Sequence, residues 1–264
     1  MQISHAFQAL SAVTRVIPGG KDDARVNRMI GDRIDFVSAY CDSWCERCAF
    51  THRCSSFAAR AAIAMCGDVR QGLELAVGRP RSADRRASMQ PMPAWLAEIQ
   101  DVEVSAEESA RWEREEDDRR LRLDGTSLMK TAKAVAELSR EWLAAQPAGL
   151  QARTDPVLAE ALAVAQFDVH LFWVKLYRAL DGRDREDEEI DDDDPIQNDW
   201  NGSAKVALIC IERSDAAWRV IAASTAQETP LAIADQFRDL QHEVEREFPD
   251  AWRFVRPGFD EPGR

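Results

Sequence analysis

Positive charge is in short supply in this chain: 34 lysines and arginines stand against 47 aspartates and glutamates, a net charge of −13 over 264 residues. A field of that sign repels phosphate backbones and anionic lipid surfaces, so a protein partner is expected rather than general nucleic-acid or membrane binding. Histidine is scarce, with four in all. None follows a glutamate by three residues, which excludes the paired Glu-x-x-His ligands of carboxylate-bridged di-iron bundles. Runs of alternating β-branched residues are missing, so nothing argues for a sheet. Inspection finds no apolar run of bilayer-spanning length, and the N-terminus has no charged lead, long apolar centre or cleavage site, so the expected location is cytoplasmic. Gly-x-Ser-x-Gly, His-Glu-x-x-His, phosphate-loop and dinucleotide patterns are absent too.

Apolar residues recur instead at helical period, which predicts an all-α protein. Val26, Ile30, Ile34 and Val37 mark a first helix over 22–40, and Ser55 or Ser56 caps a second that Gly67 stops. Residues 1–78 thus read as a helical metal-binding region with a cysteine loop. The Arg- and Pro-rich stretch 79–94 reads as a linker. Residues 95–264 form a helical bundle, on which the N-terminal helix–loop–helix is expected to pack. Its segments are a charged surface helix over 103–122, helices over 127–145, 155–180 and 201–223, and a last helix opened by Thr229-Pro230. The acidic stretch 181–194 is expected to be an extended loop, through like-charge repulsion. The tail from Phe248, rich in aromatics and prolines, is expected to strap across the bundle.

The feature that points to chemistry is the crowding of Cys41, Cys45, Cys48 and Cys54. In a reducing compartment such thiols are metal ligands more readily than disulfide partners. Their spacing is Cys-x3-Cys-x2-Cys-x5-Cys. A tetrahedral zinc site is usually assembled from two separated pairs, whereas one compact loop can wrap an iron–sulfur cubane and supply all its ligands. The candidate ligands are therefore Cys41, Cys45, Cys48 and Cys54, for a [4Fe-4S] cluster or alternatively Zn. A redox-active thiol set without metal is the third possibility. Tyr40, Trp44, Phe50 and Phe57 would either shield a cluster or simply pack, and His52 reads as an exposed loop residue.

Two local resemblances bear on this loop. Cys41-x3-Cys45-x2-Cys48 is similar in spacing to the motif of radical S-adenosylmethionine enzymes, which implies three ligands and an open iron. Arg47 stands where that motif has an aromatic residue, and no strand–helix alternation follows. Cys45-Glu-Arg-Cys48-Ala-Phe-Thr-His-Arg-Cys54 resembles the Cys-x2-Cys-x5-Cys end of the iron–sulfur loops in RecB-like and CRISPR-associated exonucleases. The resemblance covers about ten residues and implies a structural cluster. It does not carry over nuclease activity, since the Asp and Glu-x-Lys pattern of those enzymes is missing.

Other polar residues are weaker candidates. Cys66 and Cys210 lie in apolar runs and read as buried thiols. His170, Lys175 and Arg178 interrupt an apolar helix and could meet Glu212 and Arg213, either as a satisfied core network or as the wall of a ligand pocket near His170.

Overall fold

The computed structural model describes residues 33–77, 105–146, 155–189 and 195–260. Among these the chain is all-α, with no strand. It divides into two compact units, Met1–Pro93 with Pro257–Arg264, and Ala94–Arg256. The linker expected over 79–94 lies outside the described residues.

In the first unit the cysteine loop leads through a 3-10 turn, Thr51–Arg53, into α1 (Ser55–Cys66) and α2 (Val69–Val77). The cap of α1 is Cys54 itself, one residue before the serines favoured by composition, and its extended backbone lets the sulfur accept from the Phe57 N–H. Gly67, at φ 65°, ends the helix by donating its N–H to the Ile63 carbonyl. The turn folds α2 back so closely that a Cβ on Gly72 would stand 2.5 Å from the backbone of Ile63. No residue but glycine permits that approach without movement.

The helix expected over 22–40 is not formed in its described part. Residues 33 and 34 are irregular and 35–40 are turns, and 22–32 lie outside the described residues. The Ile34 N–H donates to the Arg53 carbonyl instead of to a helical neighbour, and Phe36 takes a left-handed φ of 59°, which breaks helical progression. Val37 turns inward while Phe36 is left 76% exposed.

The second unit comprises α3 (Ala106–Asp124), α4 (Ser127–Ala145), α5 (Pro156–Asp168), α6 (Leu171–Glu189), α7 (Asp199–Thr225) and α8 (Glu228–Glu247). At its centre, α7 is buried on nearly every side over its first half, 201–211, and packs against α5, α6 and α8. An edge-to-face pair of Trp142 with Trp218 ties it to α4, and a second, of Phe172 with Phe237, joins α6 to α8, each at 5.2 Å between centroids. Asn198 caps α7, accepting from the Asn201 N–H at 2.9 Å. As expected, α3 is a surface helix, opened by a reciprocal capping box between Ser105 and Glu108.

Three expectations for this unit differ in the structure. The segment 155–180 is two helices, broken at Val169 and His170. The run Pro156–Arg185 is, by length and composition, apolar enough to cross a membrane, contrary to the reading above. Here Leu158, Leu162, Phe172 and Leu176 place its apolar residues in the bundle core. The acidic stretch is helical through Glu189, because arginines interleave its carboxylates and α3 adds more. Asp184 meets Arg119 at 3.2 Å and Arg122 at 3.0 Å, while Arg185 bridges Asp181 and Glu116. Each such exposed pair contributes little alone, but the network removes the repulsion that would have unwound the stretch.

The tail does strap the bundle over its first part. Phe248, Ala251 and Phe254 are buried, and the Lys205 ammonium donates to the carbonyls of Trp252 and Phe254 at 3.2 and 2.6 Å. From Pro257 the chain belongs to the first unit, where the Phe259 ring meets Phe50 edge-on at 4.9 Å.

Candidate metal centre

Short-range hydrogen bonds shape the cysteine loop before any tertiary contact does. The Asp42 carboxylate accepts from the Trp44 N–H at 3.1 Å, closing an Asx turn around Ser43, which sits at φ 60°. The Cys45 N–H then donates to the Ser43 carbonyl at 2.9 Å and the Cys48 N–H to the Cys45 carbonyl at 3.3 Å, curling Cys45-x2-Cys48 into a tight knuckle. The Thr51–Arg53 turn delivers Cys54 to the start of α1. All four loop cysteines are half-buried free thiols.

Their sulfurs are not equivalent. Cys48 Sγ accepts from the Phe50 N–H and Cys54 Sγ from the Phe57 N–H, each at 3.4 Å. Cys45 Sγ accepts from the Arg60 guanidinium at 2.7 Å. Donors aimed at sulfur stabilise a thiolate, and the position of Cys54 at a helix N-terminus adds the helix dipole to that effect. Cys41 differs: its sulfur is the donor, 3.4 Å from the Ser38 carbonyl, and lies 4.0 Å from Ser43 Oγ.

Burial pushes the Cys45 thiol above the usual range, against the pull of the Arg60 charge and hydrogen bond. It does the same to Cys48, against the Phe50 N–H. The charges of Cys41 and Cys54 raise both. Cys41 and Cys54 thus stand within electrostatic reach of both Cys45 and Cys48, whose protons must be displaced before a metal can bind.

Reach is not convergence. Among the described residues no three His, Cys, Asp or Glu side chains close into a group able to hold a metal ion. A zinc ion with Zn–S bonds of about 2.3 Å would draw its sulfurs to about 3.8 Å from one another. The separate iron corners of a cubane accept thiolates that never meet. The loop thus offers thiol donors with N–H groups and a guanidinium directed at three of its four sulfurs.

The flanking side chains take ordinary partners. The Arg47 guanidinium stacks 3.7 Å above the Trp44 ring, and Phe50 is engaged by Phe259. His52 is exposed. Cys66 is half-buried, while Cys210 is fully buried in α7, 3.9 Å from the Arg213 guanidinium. Inspection of the sequence overlooked Arg60. Its signal was present, since Arg60 is the sole charged residue in α1.

The polar residues of the bundle do not assemble into one site. Asp168, fully buried, takes a two-pronged ion pair from Arg213, with bonds of 2.8 and 2.5 Å. Arg178 pairs with Asp199 across the α6–α7 connection. Lys175 is buried, whereas His170 and Glu212 are exposed. In place of a pocket wall near His170, the structure shows two separate pairings, each made with α7.

Compared with known proteins, the chain matches no family model, no curated protein and no solved structure.

Proposed function

We propose that this chain is a helical iron–sulfur protein whose Cys41, Cys45, Cys48 and Cys54 ligate a [4Fe-4S] cluster that serves electron transfer, redox sensing or structural clamping. The observation that carries the reading is the direction of hydrogen bonding. Two backbone N–H groups and one guanidinium point at sulfurs of a single loop, and although the Cys54 bond also caps α1, donors gathered in this way suit sulfurs that carry charge when a metal is bound. When bound, the cluster supplies one-electron chemistry.

The chain's own residues do the rest. The knuckle at Cys45-x2-Cys48 and the α1 cap at Cys54 hold three sulfurs in place, and Phe50 with Phe259 covers one side of the loop. Arg60 offsets part of the negative charge that four thiolates gather. With thiolates at all four corners no iron is open to substrate, so transfer or sensing of electrons suits the site better than Lewis-acid chemistry. The net charge of −13 favours a basic protein as partner.

The second reading is a zinc-stabilised interaction module, favoured by the N–H-to-sulfur knuckle that zinc sites share. Metal analysis separates the two. Protein purified without oxygen should be brown and contain about four iron and four sulfide per chain. A colourless protein with about one zinc and no sulfide would overturn the iron–sulfur assignment in favour of the second.

A further inference from the structure

We infer that the exposed face of α3 carrying Trp112 and Glu113 is a docking site for an arginine-rich segment of a partner protein. The inference gives the basic partner proposed above a place on the molecule, and it stands whether or not the cysteine loop holds a cluster.

The way α3 is presented carries it. From Ser105 to Asp118 every residue but Ala110 is exposed, and Trp112, in the middle of that stretch, is 51% exposed. A single exposed apolar residue is ordinary. Trp112, however, lines a shallow, open hollow together with Ser109, Glu113, Glu116 and Asp117. The helix that carries this hollow is fixed at both ends. The Ser105–Glu108 capping box closes its first turn, and Arg119 and Arg122 pair with Asp184 of α6 near its last. A surface held in one shape before binding loses little freedom when a partner arrives.

Charge says what that partner is. Seven carboxylates stand against two arginines over 107–118. Ser109, Trp112, Glu113, Glu116 and Asp117 follow one another at spacings of three, one, three and one, so they share a face, and Arg111 and Arg114 fall on the opposite one. The hollow therefore has carboxylates on its own face of α3 and neither of those two cations. Its field attracts a basic segment and repels an acidic one.

The same face already binds arginine within the chain. Glu116 takes Arg185 of α6 at 2.7 Å and Arg119 at 3.4 Å, and Asp117 pairs with Arg120. One turn earlier the run of guanidinium groups stops. Among the described residues the side chains of Trp112 and Glu113 have no hydrogen bond, ion pair or ring contact. A carboxylate and an indole lining one hollow are what a planar guanidinium fits, by two-pronged donation to the first and stacking on the second. Arg47 over Trp44, at 3.7 Å, shows that stacking elsewhere in this chain. An ammonium lacks the plane and the fork, which is why arginine rather than lysine is assigned.

The test uses the full chain and a short fluorescein-labelled peptide of alternating arginine and alanine, with its lysine counterpart, followed by fluorescence anisotropy at physiological salt. Wild type is expected to bind the arginine peptide more tightly than the lysine one. Trp112→Ala is expected to weaken binding about three-fold, and Glu113→Lys about five-fold or more. Asp239→Lys makes the same charge change at an exposed position of α8 and is expected to cost less than about two-fold, because salt screens it. Circular dichroism checks that each variant keeps its helices, as substitutions at the surface should. Equal losses from Glu113→Lys and Asp239→Lys overturn the inference, since overall charge would then explain the binding. So does a Trp112→Ala protein that binds like wild type, a lysine peptide bound as tightly as the arginine one, or a wild type that binds neither. Sedimentation of wild type as a dimer that Trp112→Ala dissociates would seat a second copy on the face, which also overturns it. None of these readings involves iron or sulfide, so failure here is distinct from failure of the iron–sulfur reading.

Discussion

Arg60 and the cysteines it serves show what single residues contribute. A cation hydrogen-bonded to Cys45 Sγ stabilises the more negative, reduced state of any cluster bound there, though solvent and salt screen an exposed guanidinium. Arg60→Gln should therefore lower the midpoint potential while leaving iron content unchanged, as read by a redox titration in parallel with iron analysis; an unaltered potential would assign Arg60 a packing role. The raised thiols give a pH dependence with a definite sign. Burial chiefly lifts Cys45 and Cys48, so the metal-free loop holds its protons more tightly than the unfolded chain does. Its contribution to stability is complete below the ordinary thiol range and falls as pH rises through the lifted values. Metal uptake displaces those protons, so it should strengthen over the same rise in pH, measurable by iron or cobalt titration at several pH values. The four ligand candidates were legible in the sequence because crowding alone marks them. Their inequality was not, since whether a sulfur donates or accepts depends on where a carbonyl such as Ser38 O or a side chain 15 residues away comes to lie.

Helices were legible to the degree that their ends carry chemical signals. The boundaries of α4 follow from period alone, and the stop of α1 follows from Gly67. The failures have equally local causes. The 22–40 pattern has helical spacing, yet its described part gives its hydrogen bond to Arg53, a competing partner that no periodicity reveals. The acidic stretch looked repulsive because charges were weighed along the chain; Arg119 and Arg122, some 60 residues earlier, supply the compensation. Gly72 looked unremarkable in the sequence and is a steric requirement in the fold. Gly72→Ala would push a Cβ to 2.5 Å from Ile63 backbone atoms, which cannot yield cheaply. The α1–α2 pair should lose roughly 1–3 kcal/mol, the usual cost of overpacking, read as faster amide exchange in α1. Exchange rates equal to wild type would mean the helices part freely.

For the molecule as a whole, division into two compact units predicts that metal loss stays local. The bundle has its own core, with Trp218, Phe172, Phe237 and Leu240 buried, and it has its own strap through Lys205. Cys48→Ser should release metal and loosen the loop while the bundle keeps its cooperative thermal transition; loss of that transition would show that the centre supports the entire fold. The central claim, that sulfur from positions 41, 45, 48 and 54 surrounds one inorganic cluster, is tested most directly by X-ray absorption on protein isolated without oxygen. The account predicts an iron edge with a sulfur shell and a second, iron–iron shell behind it. A zinc edge with a lone sulfur shell at about 2.3 Å, or iron surrounded only by oxygen and nitrogen, would contradict it.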